Sequence, residues 1–182
     1  PVLAGTDLWF YLVTAAGMAT LLWGAVWALF QHDLKGLLAF STISHLGLIT
    51  LLFGLNSPLA AVAGVFHIIN HATFKAGLFM AAGIIDQQTG TRDMRRINGL
   101  WKYMPYTAVL AMVASAAMAG VPLLNGFLSK EMFFTETLQS DQLGALSWLL
   151  PLGATLGGVF SVAYSARFIH DVFFNGEPVN LP

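Results

Sequence analysis

Five apolar stretches, each long enough to cross a lipid bilayer, leave this chain few folds to choose from. A spanning segment has no water to satisfy its backbone, so it must be an α-helix or part of a closed barrel. At roughly 20 residues per crossing, each stretch is long enough for a transmembrane helix. Crossings are expected at about residues 8–30, 34–55, 58–85, 105–138 and 146–174. The entry signals agree. Thr6 or Asp7 precedes the first stretch and Asp33 the second. Ser57 precedes the third, with Pro58 at the first helical position, where a missing N–H costs nothing. The expected class is an all-α integral membrane domain over residues 1–182, with about five transmembrane helices.

Composition removes several kinds of function. Hydrophobic residues make up 57% of the chain and charged residues 9%, against about 25% charged in soluble domains. The absence of cysteine removes disulfides, thiolate metal sites, iron–sulfur clusters and thiol nucleophiles together. A net charge of -1 offers nothing to nucleic acid. No nucleophile–base or carboxylate pair is evident, so an enzyme is not expected. The first apolar run lacks a preceding basic segment, so no signal peptide is expected, and the start at Pro1 suggests a piece of a longer protein.

The fourth stretch is too long for one straight crossing. Its thirty-four residues would make about 51 Å of helix. Its middle reads Ala-Gly-Val-Pro-Leu-Leu-Asn-Gly-Phe from Ala119 to Phe127, and Gly120, Pro122 and Gly126 favour a break there. Asn125 is placed to satisfy backbone groups freed by it. Either two short helices cross separately, or one discontinuous helix crosses once. Charge chooses the second. With one crossing, Lys35, Arg92, Arg95, Arg96 and Lys102 fall on one side, with Arg167 near that face, and the loops of the other side hold no Lys or Arg. The positive-inside rule then puts the N-terminus outside and the C-terminus in the cytoplasm.

Nine residues of the third stretch, His-Ile-Ile-Asn-His-Ala-Thr-Phe-Lys from His67 to Lys75, interrupt its apolarity. Ionisable groups are expensive in hydrocarbon and seldom sit there without a task. His67, His71 and Lys75 are four apart, so all three project from one side of a helix. A file of titratable groups at membrane depth is what a proton path requires. A spanning His-x-x-x-His would suit zinc. Yet no acidic residue lies between the two, and the next polar head on that face is a lysine, so no metal is expected, and no haem or other cofactor.

Depth follows from the short Asn56–Ser57 turn, which makes the second and third helices antiparallel neighbours. His45 is eleven residues before Asn56 and His67 ten after Ser57, which puts both about 15 Å in, near the bilayer centre. Ser41 and His71 match at about 21 Å, and Lys75 lies deeper. Lys130, just past the break, lies about 12 Å from the outer end of its helix. The proton-relay candidates are therefore His67, His71, Lys75 and Lys130. Lys35, His45, Ser41, Thr42 and Asn125 are candidates for relay or support. Glu131 reads as a surface residue, and Ser161, Tyr164, Ser165 and Arg167 as packing and interface groups.

These residues carry a family resemblance. Asp33-Leu34-Lys35 leading into Leu38-Ala39-Phe40-Ser41-Thr42-Ile43-Ser44, the His67–Lys75 file, and the broken segment from Ala119 to Glu131 occur together. Combined, they resemble the antiporter-like, proton-translocating subunits shared by respiratory complex I and the Mrp-type multisubunit cation/proton antiporters. The resemblance covers about Gln31 to Glu136. Ser44-His45, the segment from Gly83 to Arg96, and Val121 to Asn125 are most similar to the large A subunits of the Mrp branch. The resemblance implies a longer parent with two inverted five-helix repeats, each with a broken helix, of which this chain is most of the second. The essential Glu and Lys of the first repeat have no counterpart here. It implies His67, His71 and Lys75 as central relay groups and Lys130 as the relay at the broken helix. It further implies exchange of a monovalent cation, with sodium expected, for protons. The implied partners are other small membrane subunits, and the implied location is a prokaryotic plasma membrane. The alternative is a proton-pumping membrane subunit of complex I or a related redox-driven complex, with the redox centres on partner subunits.

Overall fold

A computed structural model describes residues 5–178, so the expected domain limits at residues 1 and 182 lie outside the described residues. The helices in chain order are α1 Asp7–Phe30, α2 Leu34–Gly54, α3 Pro58–Thr89, α4 Pro105–Ala119, α5 Asn125–Gln139 and α6 Leu149–Ile169. A π-helical turn, His170–Phe174, prolongs α6, and short 3₁₀ turns occupy Leu100–Lys102 and Gly144–Leu146. Asp7–Phe30, Leu34–Gly54, Pro58–Thr89 and the stretch Gly144–Phe174 are each long and apolar enough to cross a membrane. Caps form where the sequence offers them. The Thr6, Asp33 and Ser57 side chains accept from the backbone N–H of Trp9, Gly36 and Ala60. α3 runs about one turn past its apolar run, to Thr89, and stops at Gly90, whose φ of 66° is left-handed.

The fourth crossing is broken, as the sequence implies. α4 ends at Gly120 with φ 87°, a conformation that favours glycine. Leu124 N–H then donates to Val121 C=O at 3.2 Å, closing a turn with Pro122 second and Leu123 third, at φ 77°. That is the residue order and dihedral of a type II turn. Gly126 lies in the first turn of α5, where a side chain would collide with the Ala117 carbonyl. The glycine thus lets the two half-helices meet. Their direction follows from their neighbours. Along α3, Gly77 faces Ala114 and Leu110 of α4, Asn70 faces Asn125, and His67 faces Ser129 of α5. Along α6, Ser165 faces Ser115, Ser161 faces both Met118 and Lys130, and Gly158 faces Phe134. Both halves therefore run antiparallel to α3 and to α6, and together they make one crossing.

α1 and α2 clasp each other through Gly17, Gly24, Gly47 and Gly54, at each of which a Cβ would strike backbone of the facing helix. Small residues let helices close up in lipid, where no hydrophobic force drives them together. The clasp is reinforced by Ser44, whose hydroxyl donates to Leu21 C=O at 2.9 Å. It fixes the face that α2 presents to α3 and α6.

Charges gather at one end of the bundle. There Leu34 N–H donates to Arg92 C=O at 2.8 Å and Met94 N–H to His32 C=O at 2.9 Å, pinning the segment after α3 against the start of α2. Lys35 pairs with Asp86 at 2.6 Å, Arg92 with Asp33 at 3.4 Å and Arg95 with Asp93 at 2.7 Å. Arg167 donates to the Leu29 carbonyl and to His32, and pairs with Asp171.

Candidate functional site

The interior polar groups come from α2, α3, α5 and α6 and meet at mid-bundle. His45 Nδ1 and His67 Nε2 are 3.0 Å apart, the contact that equal depth on antiparallel helices allows. His67 Nδ1 lies 2.9 Å from Ser129 Oγ of α5. On the other side, His45 Nε2 lies 3.3 Å from the Tyr164 hydroxyl, which in turn lies 3.3 Å from Ser161 Oγ. Lys130 Nζ donates to Ser161 Oγ at 2.8 Å. A line of hydrogen-bonding atoms thus runs Lys130, Ser161, Tyr164, His45, His67, Ser129.

The line satisfies its donors and acceptors in either of two directions. In one, Tyr164 donates to His45 Nε2, His45 Nδ1–H to His67 Nε2, His67 Nδ1–H to Ser129, and Ser129 to the Gly126 carbonyl at 3.2 Å. In the other, Ser129 donates to His67, His67 to His45, His45 to Tyr164, and Tyr164 to Ser161. Neutral imidazole has one N–H and one acceptor nitrogen, so both directions are chemically complete. A proton entering at one end and another leaving at the far end converts one into the other. A void of about 10 Å³, about what one water needs, lies among Ser44, His45, Lys130, Ser161 and Tyr164.

Both interior lysines are held by neutral oxygens. Lys130 Nζ donates to Ala119 C=O at 3.0 Å, a carbonyl freed by the break at the negative end of α4. Gly120 is needed a second time here, because its Cβ would lie 2.9 Å from the Lys130 stem. Lys75 Nζ donates to Leu38 C=O at 3.0 Å and to Ser41 Oγ. Equal depth on α2 and α3 pairs Ser41 with His71, but Ser41 is bound by Lys75. A helical side chain leans toward its own N-terminus, so the long lysine reaches back to the level of Ser41. His71 lies tilted against His45, with ring centres 5.3 Å apart, and its buried Nε2 has no partner among the described residues. His67 stacks on both His45 and His71, and His45 and His71 are tilted to each other, with ring centres 5.2–6.4 Å apart.

The other sequence candidates fall in different places. Asn125 exchanges bonds with Asn70, its amide donating to Asn70 Oδ1 at 3.3 Å and its carbonyl accepting at 3.0 Å, which ties α3 to the start of α5. Thr42 turns back on Leu38 C=O of its own helix and does not join the line. Lys35 lies at the charged end, bound to Asp86. Ser161 and Tyr164, which read as packing groups in the sequence, stand inside the line, and Ser129 completes it. The signal for α6 was available: Ser161, Tyr164, Ser165 and Phe168 recur at helical spacing on one buried face.

The sequence of residues 2–156 matches the family described as NADH:quinone oxidoreductase/Mrp antiporter, TM. The chain belongs to that family. It is 66% identical over all of its length to a probable K(+)/H(+) antiporter A/B subunit of Rhizobium meliloti, of which it covers 18%. It is 47% identical over 90% of its length to the A subunit of a Na(+)/H(+) antiporter of Alkalihalophilus pseudofirmus, of which it covers 23%. The chain thus spans about a fifth of these curated relatives. Among solved structures, the Mrp complex from Dietzia sp. matches 92% of the chain at 43% identity and a TM-score of 0.87, with 18% of that chain covered. Respiratory complex I from Thermus thermophilus matches 94% of it at 27% identity and a TM-score of 0.84, with 36% of that chain covered.

Proposed function

We propose that this chain is part of the second repeat of a large antiporter subunit, and that it carries protons through the bilayer in exchange for a monovalent cation. The observation that carries the reading is the line from Lys130 through Ser161, Tyr164, His45 and His67 to Ser129, whose stretch from Tyr164 to Ser129 is complete in both directions. His71, in ring contact with His45 and His67, and Lys75 with Ser41 lie beside it toward the charged end. Lys75 and Lys130 load and release protons, and the histidines pass them on. Because two protons on neighbouring groups repel, loading one relay favours release from the next. Sodium stands in the name of the Alkalihalophilus relative and potassium in that of the Rhizobium relative, so the exchanged ion is an alkali cation. The partners are other membrane subunits, and the seat is a prokaryotic plasma membrane. The N-terminus lies outside and the end bearing Lys35, Arg92, Arg95 and Arg96 faces the cytoplasm.

The alternative is a proton-pumping subunit of a complex I-type machine. It is favoured by the fold match to complex I, and disfavoured by its lower identity of 27% against 43% for the Mrp complex. In the full-length subunit within its complex, Lys75→Ala and Lys130→Ala are each expected to abolish cation-driven proton flux in vesicles, while Lys35→Ala leaves most of it. Wild-type flux in both interior variants removes the relay. Flux that needs a redox donor instead of a cation gradient selects the alternative.

A further inference from the structure

The hydrogen-bonded line stops at Ser129, short of either membrane face. Continuing along α5 toward its C-terminal end, Glu136 follows Ser129 by seven residues, two turns, which returns it to nearly the same face about 10 Å further on. Glu136 is 8% exposed. Among the described residues no hydrogen bond or ion pair reaches its carboxylate, whose oxygens keep contact with solvent while the rest of the side chain is packed.

Glu136 lines a cavity of about 360 Å³ at the end of the bundle that carries the Asn56–Ser57 turn. The rest of its wall is Leu55, Asn56 and Ser57 from the α2–α3 turn and residues 139–142 after α5, with Gln142 Nε2 donating to Leu55 C=O at 3.4 Å. Among the described residues the other charged group in this wall is Asp141, which is exposed, and no Lys or Arg lines it. Between Ser129 and Glu136 on the same face stands Phe133, 2% exposed. A carboxylate without a protein partner thus opens on a polar, acidic cavity from an otherwise packed side chain, and one aromatic ring separates it from the end of the histidine line.

We propose that Glu136 is the group through which the His45–His67–Ser129 line exchanges protons with water at the Asn56–Ser57 end, with Phe133 as the barrier between them. In the outward sense, a proton leaving the line at Ser129 passes along a short file of water when the Phe133 ring turns aside. An O–H bond forms on the Glu136 carboxylate as one breaks on the donating water. Glu136 then gives that proton to water in the cavity and returns to carboxylate, with Asp141 keeping the local potential negative. The inward sense reverses each step. The proposal rests on the relay reading above.

The test uses the full-length protein in its complete complex, reconstituted in vesicles. Glu136→Gln is expected to lower cation-driven proton flux about 100-fold, the scale of losing one positioned proton carrier. Glu136→Asp should retain most of it. Formate supplied on the Asn56–Ser57 side should restore flux to Glu136→Ala, which a merely structural carboxylate would not allow. Glu136→Cys should react with a membrane-impermeant thiol reagent from that side only. Wild-type flux in Glu136→Gln, alongside dead Lys130→Ala, overturns the assignment of Glu136 and leaves the relay standing. Wild-type flux in both removes the relay itself. Where Glu136→Gln fails to assemble, the formate and labelling results decide: no rescue, or no reaction from that side, overturns the proposal.

Discussion

The bundle handles its basic residues in two ways. At the charged end, Lys35, Arg92, Arg95 and Arg167 each face a carboxylate, at 2.6, 3.4, 2.7 and 3.2 Å. In the interior, Lys75 and Lys130 face backbone carbonyls and serine hydroxyls. Exposed ion pairs contribute about 0–1 kcal/mol each, and interhelical hydrogen bonds within membranes average about 0.6 kcal/mol. Neither set is a large source of stability, so stability does not explain the difference. Charge does. A lysine beside a carboxylate has a counter-ion that favours its charged form, which suits an anchor. A lysine beside neutral oxygens has no counter-ion holding it in one protonation state, which suits a carrier.

Giving an interior lysine the partner that an anchor has should destroy its function without harming the fold. Ser161→Asp places a carboxylate where Ser161 Oγ now lies 2.8 Å from Lys130 Nζ. The expected result is an assembled complex with proton flux lowered on the order of 100-fold, because one carrier in the line is locked. Wild-type flux in this variant would show that counter-ions do not separate the two classes, and the comparison would fail.

The sequence held the frame of the site and less of its wiring. Apolar length fixed the crossings, and side-chain caps at Thr6, Asp33 and Ser57 fixed where helices begin, because both are local properties. The break was legible because Pro122 restricts its own backbone and Gly120 admits the left-handed conformation that ends a helix. His45 and His67 could be matched in depth because a two-residue turn leaves antiparallel helices little freedom in register. α6 has no such tether. It reaches the site from 119 residues away in the Tyr164–His45 contact, and only packing decides which of its faces turns inward. Serine and tyrosine also carry weak signals in a membrane helix, since each has a bland role bonding to backbone, as Thr42 shows. Lys75 illustrates a third gap: residue counting locates Cα atoms, whereas a lysine works at the end of its stem.

Tyr164 allows a milder probe of the same contrast. Tyr164→Phe removes the hydroxyl that links His45 to Ser161 and leaves the ring in place. The adjoining void of about 10 Å³ grows by that oxygen, so a water can take over part of the link. Flux should fall about tenfold, less than for a locked lysine, with assembly unchanged. Unchanged flux would mean that water already carries protons past this point, and it would shorten the protein-built line to His45, His67 and Ser129.

The smallest effect belongs to the charged end and appears only in acid. Arg95 bonds the Asp93 carboxylate and holds it down to about 2, below the usual 3.9 or so for aspartate. A carboxylate whose folded value is depressed adds stability that is fully present above the unfolded value and is lost as pH falls through the folded one. The Asp93–Arg95 contact, and with it the pinning of Met94 to His32, should therefore hold unchanged from neutral pH down to about 4 and weaken progressively toward about 2. Trp101, stacked on Phe174 with ring centres 5.7 Å apart, reports from the same end of the bundle. Its fluorescence in the detergent-solubilised complex should titrate over that acid window, and Asp93→Asn should remove the change. At neutral pH the contact is intact in the wild type, so if it only anchors the fold the same substitution should leave the proposed proton flux near wild type. If it instead lowered flux as Lys75→Ala does, the ion pairs at this end would be part of the carrier, and the division between anchoring and carrying charges would lie somewhere other than at the membrane face.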